Sequence, residues 1–267
     1  MTVSIDTDQR KEVVHHPFTF VSPLASFYAA LQFLTIVPPV IRRPFTGAEL
    51  GWSLAFFPVV GGLIGGMLIG LDWLLGLPFP PALSAALILS AWVLVTGAIH
   101  LDGFLDTCDG LFGGPTPEDR LRIMRDHRVG AFAVIGGILL LLIKYQALVA
   151  FADREIALIL APILGRWGMV PAVVFFPYAR PEGLGRDMKD HAGWWVLLLA
   201  SAFAITTAWW AAAWMGLLCL GIVLIALLVI GLFVLQRVPG FTGDLYGFCC
   251  EIFEILVLLT LVAGGSA

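Results

Sequence analysis

Residues 192–236 form a run of 45 residues without Asp, Glu, Lys or Arg. A membrane-spanning helix needs about 20 predominantly apolar residues, so this run is long enough for two. A water-soluble fold would have to bury both, and the rest of the chain is too apolar to cover them. Of the 267 residues 60% are hydrophobic and 13% charged, about half the charge of an ordinary soluble domain. The chain reads as an all-α, polytopic membrane helical bundle of about six to eight membrane segments.

Uncharged runs and their flanks place clear spans at 52–77, 82–101, 129–151, 156–178, 194–210 and 217–235. Two weaker segments bracket them. Residues 24–37 give only 14 positions before Pro38-Pro39, about 21 Å of helix. Residues 248–263 carry Glu251 and Glu254 in their first turns. Both are short for a hydrocarbon core of about 30 Å, and are expected to be tilted, interfacial or re-entrant. Residues 1–21 read as a polar N-terminal tail with no apolar core of a secretory signal, and 22–267 as one transmembrane catalytic domain.

Charge is distributed unevenly between the connections. Arg42, Arg43, Arg120, Arg122, Arg125, Arg128, Arg180, Arg186, Lys189 and Arg237 lie in four loops, and the alternating connections hold Arg154 alone. Basic loops face the cytoplasm, so a multi-pass protein of the inner (cytoplasmic) membrane is expected, with its polar loops and active site on the cytoplasmic face. Trp194-Trp195 and Trp209-Trp210 suit aromatic belts at the two ends of one helix. The net charge of −4 provides no basic field for nucleic acid. Cys108, Cys219, Cys249 and Cys250 lack any C-x-x-C zinc spacing and read as small buried hydrophobes.

The densest chemistry is the stretch TGAIHLDGFLDTCDGLFGG, residues 96–114. Asp102, Asp106 and Asp109 fall within about 60° of one another around a helix. Three carboxylates on one stripe repel unless a cation sits among them, and hard oxygen donors suit Mg²⁺ with substrate phosphates. The plainer alternative is a solvated acidic helix end. His100 lies about 160° from Asp102, so it is either a hydrogen-bond partner behind the stripe or a core histidine.

In PTPEDRLRIMRDHRVGAF, residues 115–132, Thr116 is placed to cap a helix beginning at Pro117. Arg122, Arg125 and Arg128 recur every three residues. Such a row holds phosphate oxygens bidentately, or anchors the chain to anionic lipid. Asp126 is placed to join a metal or tether an arginine. Arg166 interrupts an apolar span and calls for a polar cavity. The loop 178–191 is either a substrate loop or a plain basic loop. Asp244, Glu251 and Glu254 form a second acidic group, whereas Asp72 is expected at the opposite interface. No Ser–His–Asp set, Walker A loop or G-x-G-x-x-G signature is present.

These blocks resemble the cobalamin synthase family, the adenosylcobinamide-GDP ribazoletransferases. The resemblance is carried in order by LQFLTIVPP, FFPVVGGLIG, TGAIHLDGFLDTCDGLFGG, RLRIMRDHRVGAF, the surroundings of Arg166, ARPEGLG and FTGDLYGFCCE. His127 and Ala133 depart from the family pattern, and neither is expected to touch the carboxylates. The resemblance implies Mg²⁺-dependent transfer of the phosphoryl-linked corrinoid of adenosylcobinamide-GDP onto α-ribazole or its 5′-phosphate, with release of GMP. By that likeness Asp102, Asp106 and Asp109 coordinate Mg²⁺, and one accepts the proton of the attacking hydroxyl. Arg125 and Arg128 clamp the diphosphate, with Asp126 orienting them or completing the metal shell. Arg166 and Asp244 contribute from other helices, with Glu251 behind them. Homo-oligomerisation stays open.

Two rival readings remain at this level. A CDP-alcohol phosphotransferase also uses helical Asp residues and Mg²⁺ at a membrane face, but there an Asp-Gly is followed by Ala-Arg, and here Gly103 is followed by Phe-Leu-Asp. A corrinoid or cation transporter would be built on Asp72, Arg166 and Glu251. Gathering the polar groups on one face disfavours it.

Overall fold

The computed structural model describes residues 21–265, so that 1–20 of the expected tail lie outside the described residues. Every regular element is helical among the described residues, in the order α1 (Pro23–Leu34), α2 (Gly47–Ser53), α3 (Phe57–Leu75), α4 (Pro81–Val95), α5 (Ile99–Gly113), α6 (Pro117–Ile123), α7 (Ala131–Ala150), α8 (Arg154–Phe175), α9 (Leu184–His191), α10 (Trp194–Leu235) and α11 (Gly243–Gly265). Local signals start several of them. Thr46 and Glu49 form a reciprocal capping box at α2, Ser22 caps α1, and Thr116 caps α6 by accepting from the Asp119 N–H at 3.1 Å. A 3₁₀ turn, Leu54–Phe56, carries α2 directly into α3.

Helix α8 is the centre of the bundle, buried along nearly its whole length and packed by α3, α10 and α11. Pro162 has no N–H to give the Leu158 carbonyl. Helix α3 approaches there through Gly61 and Gly65, and a Cβ on Gly65 would lie 2.6 Å from the Leu158 oxygen. Among the described residues five helices are long and apolar enough to cross a membrane, and α4 with α5 forms a sixth candidate that is sharply broken.

Three expectations change. The span expected at 82–101 stops at Val95, and α5 departs at 87° to α4. Gly97 and Ala98 both adopt left-handed conformations at the corner, with φ of 59° and 56°. The α1 side closes it, since the Ile36 N–H donates to the Val95 carbonyl at 2.9 Å. The two spans expected at 194–210 and 217–235 are joined directly. Ala212 and Ala213 break the helical path, Gly216 packs onto the Ala208 carbonyl, and Trp209 meets Trp214 edge-on at 5.1 Å. Finally, the last segment is not short: α11 has 23 residues and is long enough to cross. Its carboxylates interrupt the hydropathy without interrupting the helix, because each finds a cation on a neighbouring element. Helix α1, with 12 residues, remains too short to span.

Candidate active site

The corner after α4 lays α5 across the ends of α7 and α11 and so assembles the site. Gly103 of α5 abuts the backbone of Asp244, where a Cβ would lie 2.9 Å from the carbonyl oxygen. Further along, the Asp109 carboxylate accepts from the backbone N–H groups of Gly130 at 2.6 Å and Ala133 at 2.9 Å. Those are among the unpaired donors of the α7 N-terminus, so Asp109 pins the segment between α6 and α7 over α5. Ala133 therefore does touch a carboxylate, against expectation. It does so through its backbone, which is indifferent to the side chain.

Between these elements lies a cleft of about 370 Å³, lined by Asp102, Asp106, Asp109, Arg125, Asp126, His127, Arg128 and Arg180 among others. The Asp102 and Asp106 carboxylates accept no hydrogen bond among the described residues. The Arg125 and Arg128 guanidinium groups likewise have no partner there. Asp126 shapes the loop, its carboxylate accepting from the Arg128 backbone N–H at 3.1 Å, and it holds no arginine side chain. Arg122 turns away to Asp119 at 2.6 Å. No group of three or more His, Cys, Asp or Glu side chains among the described residues converges as a metal cage. The free pair Asp102 and Asp106 still suits Mg²⁺, which is held by one or two carboxylates and leaves the remaining positions to water and substrate phosphate.

Arg180 was not singled out from the sequence. It sits just beyond an isolated bridge between Tyr178 and Phe241, and its guanidinium donates to Asp244 at 2.7 Å. Asp244 thus holds a cleft arginine in place. Burial raises the Tyr178 phenol above the ordinary tyrosine range, so this neighbour of Arg180 and Asp244 is a neutral hydroxyl at physiological pH.

Arg166, Glu251 and His100 do not line the cleft. They belong to a network inside the bundle, where Arg166 (1% exposed) pairs with Glu254, and Lys144 bridges Glu254 and Glu251, the latter at 2.5 Å. His100 Nδ1 lies 3.4 Å from Arg166 Nη2, and Lys144 also stands 5.0 Å from the Trp92 ring centroid. Two cations face two carboxylates, which is how charge is tolerated at such depth. Lys144 and Glu254 were missed as partners. The available signal was a lone lysine in an apolar span, the same signal that marked Arg166.

The fold and cleft define a polytopic membrane protein whose acidic helix and unpaired arginines form one open pocket at a single face of the bundle. The chain belongs to the Cobalamin-5-phosphate synthase family, whose model matches residues 26–262. It is 38% identical over 244 residues to an adenosylcobinamide-GDP ribazoletransferase of Geotalea daltonii, covering 91% of this chain and 99% of that one. The proteins of the same name in Pseudomonas syringae pv. syringae and Desulfitobacterium hafniense are 38% and 34% identical, each over 88% of this chain and 98% and 96% of their own. No solved structure matches the chain. Membership of this family makes the protein an enzyme, a transferase of cobalamin synthesis.

Proposed function

We propose that the chain joins adenosylcobinamide-GDP to α-ribazole or α-ribazole 5′-phosphate, releasing GMP, at the cytoplasmic face of the inner membrane. The observation that carries this reading is the cleft, where the free carboxylates of Asp102 and Asp106 share one pocket with the unpaired guanidinium groups of Arg125 and Arg128. A diphosphate donor needs both kinds of group, since guanidinium binds its oxygens bidentately. Asp102 and Asp106 would hold Mg²⁺, which when bound neutralises charge building on the leaving nucleotide.

The remaining work falls to the chain's own residues. Arg125 and Arg128 orient the diphosphate, and Arg180, braced by Asp244, fixes the edge of the pocket. The ribazole 3′-hydroxyl attacks the phosphorus that carries the corrinoid's aminopropanol oxygen. A new P–O bond forms while the bond to the bridging oxygen breaks, and GMP leaves with that oxygen. The hydroxyl proton passes to a carboxylate on the α5 stripe. Positioning and charge stabilisation account for most catalysis in such displacements.

The test is GMP release by the purified protein in detergent, from adenosylcobinamide-GDP and either acceptor. We expect release that depends on donor, acceptor and Mg²⁺ and needs no vesicle or gradient. Turnover of a CDP-alcohol with none from the corrinoid donor would transfer the assignment to the rival phosphotransferase class. Substrate movement across a vesicle without GMP formation would make the protein a transporter.

A further inference from the structure

A second, apolar pocket opens among α1, α2, α9 and the start of α5. Gln32, Phe33, Phe45, Ile99, Leu184 and Met188 are among the residues that line its volume of about 290 Å³. Gln32 is the one polar side chain of this lining among the described residues. Hydrogen bonds set the orientation of its carboxamide, whose oxygen accepts from the Val40 N–H at 2.8 Å and the Ile41 N–H at 3.3 Å. The amide nitrogen has no partner among the described residues. Apolar walls with a single unspent donor are the composition of a small-molecule site.

Two features join this pocket to the cleft. Ile99, Asp102 and Asp106 fall within about 60° of one another around α5, and Ile99 precedes Asp102 by about 4.5 Å of helix rise. On the α9 side, a Cβ on Gly185, next to Leu184, would lie 2.7 Å from the Tyr178 hydroxyl oxygen, and Tyr178 neighbours Arg180 and Asp244 at the cleft.

We propose that the apolar pocket seats the base of the acceptor, with Gln32 donating to its free ring nitrogen. This inference rests on the transferase reading and deepens it. The base of α-ribazole is a flat dimethylbenzimidazole, apolar apart from one unsubstituted ring nitrogen that accepts a hydrogen bond and has no proton to donate. It therefore matches apolar walls and one donor. The ribose then spans the turn from Ile99 to Asp102 and carries its 3′-hydroxyl towards the carboxylates. A corrin ring is too large for this pocket. A lipid chain would leave the Gln32 donor without an acceptor, which is costly away from water.

The experiment measures KM for α-ribazole 5′-phosphate and for its indole counterpart, in which C–H replaces that nitrogen, with adenosylcobinamide-GDP in detergent. In the wild type the indole acceptor should show a KM about tenfold or more higher, the scale of one buried donor left unpaired. Gln32→Glu keeps an oxygen for Val40 and Ile41 but removes the donor. It should raise the KM of α-ribazole 5′-phosphate by a similar factor and no longer tell the two acceptors apart. Equal KM values for both acceptors in the wild type, or an equal rise for both in Gln32→Glu, overturn the proposal. So does a rise confined to the KM of adenosylcobinamide-GDP, which would give the pocket to the donor. If the wild type forms no GMP with α-ribazole or its 5′-phosphate, the transferase reading itself fails, and this inference falls with it.

Discussion

At the residue scale, three aspartates that share one helical stripe have different tasks. Asp102 and Asp106 face the cleft unpaired, whereas Asp109 binds two backbone amides of the α7 terminus. Asp106→Asn should lower the rate of GMP release by about two to three orders of magnitude, the scale for one preorganised charge at such a site, with little change in thermal midpoint. Asp109→Asn should instead lose about 1 kcal/mol of stability, the usual value of a helix-terminus acceptor, readable as a lower midpoint in detergent. Equal midpoints for the two variants would contradict this division. The spacing of the stripe was legible in the sequence. The division of labour was not, because it depends on a terminus 21 residues away folding back over α5. Glu254 makes a similar case. With 0% exposure it compensates both Arg166 and Lys144, so Glu254→Gln should destabilise the bundle by about 3–5 kcal/mol. Unaltered unfolding of that variant in detergent would count against the network.

At the element scale, the decisive feature is the corner between α4 and α5. Hydropathy runs through residues 96–98 without interruption, so a continuous span was the natural reading. The structure breaks there with two left-handed residues in succession, one of them Ala98. A left-handed alanine costs about 1–2 kcal/mol, so Ala98→Gly should raise the thermal midpoint while leaving GMP release intact. An unchanged or lower midpoint would argue against the corner. By turning across the bundle instead of continuing along it, α5 keeps its aspartates beside α6 and the 178–181 loop. The α11 expectation failed for a related reason. Its carboxylates look unsuited to a span until Arg180, Lys144 and Arg166 are seen facing them from other elements.

At the scale of the whole molecule, the polar groups outside the buried network are sorted between two ends. The cleft and the basic loops share one end, and at the other Arg154 is neutralised by Asp72 at 2.7 Å. All four native cysteines are buried, so single added cysteines report sidedness cleanly. With the cleft facing the cytoplasm, Glu182→Cys should react with a membrane-impermeant maleimide only after permeabilisation, and Asp153→Cys in intact spheroplasts. The reverse pattern would invert the orientation.

The sequence by itself determined the membrane class, most of the spans, the loops that carry the charge and the residue types that line the cleft. These are local properties, since hydropathy and charge act over the length of one helix and its flanks. Only the tertiary structure decided which charges meet. It took Arg166, Glu251 and His100 from the cleft into a buried network, brought Arg180 to the cleft, and bound Asp109 to a helix end. The pairs that decide this, Arg166 with Glu254, Lys144 with Glu251 and Arg180 with Asp244, join helices and loops distant in the chain, so no window of sequence contains both partners.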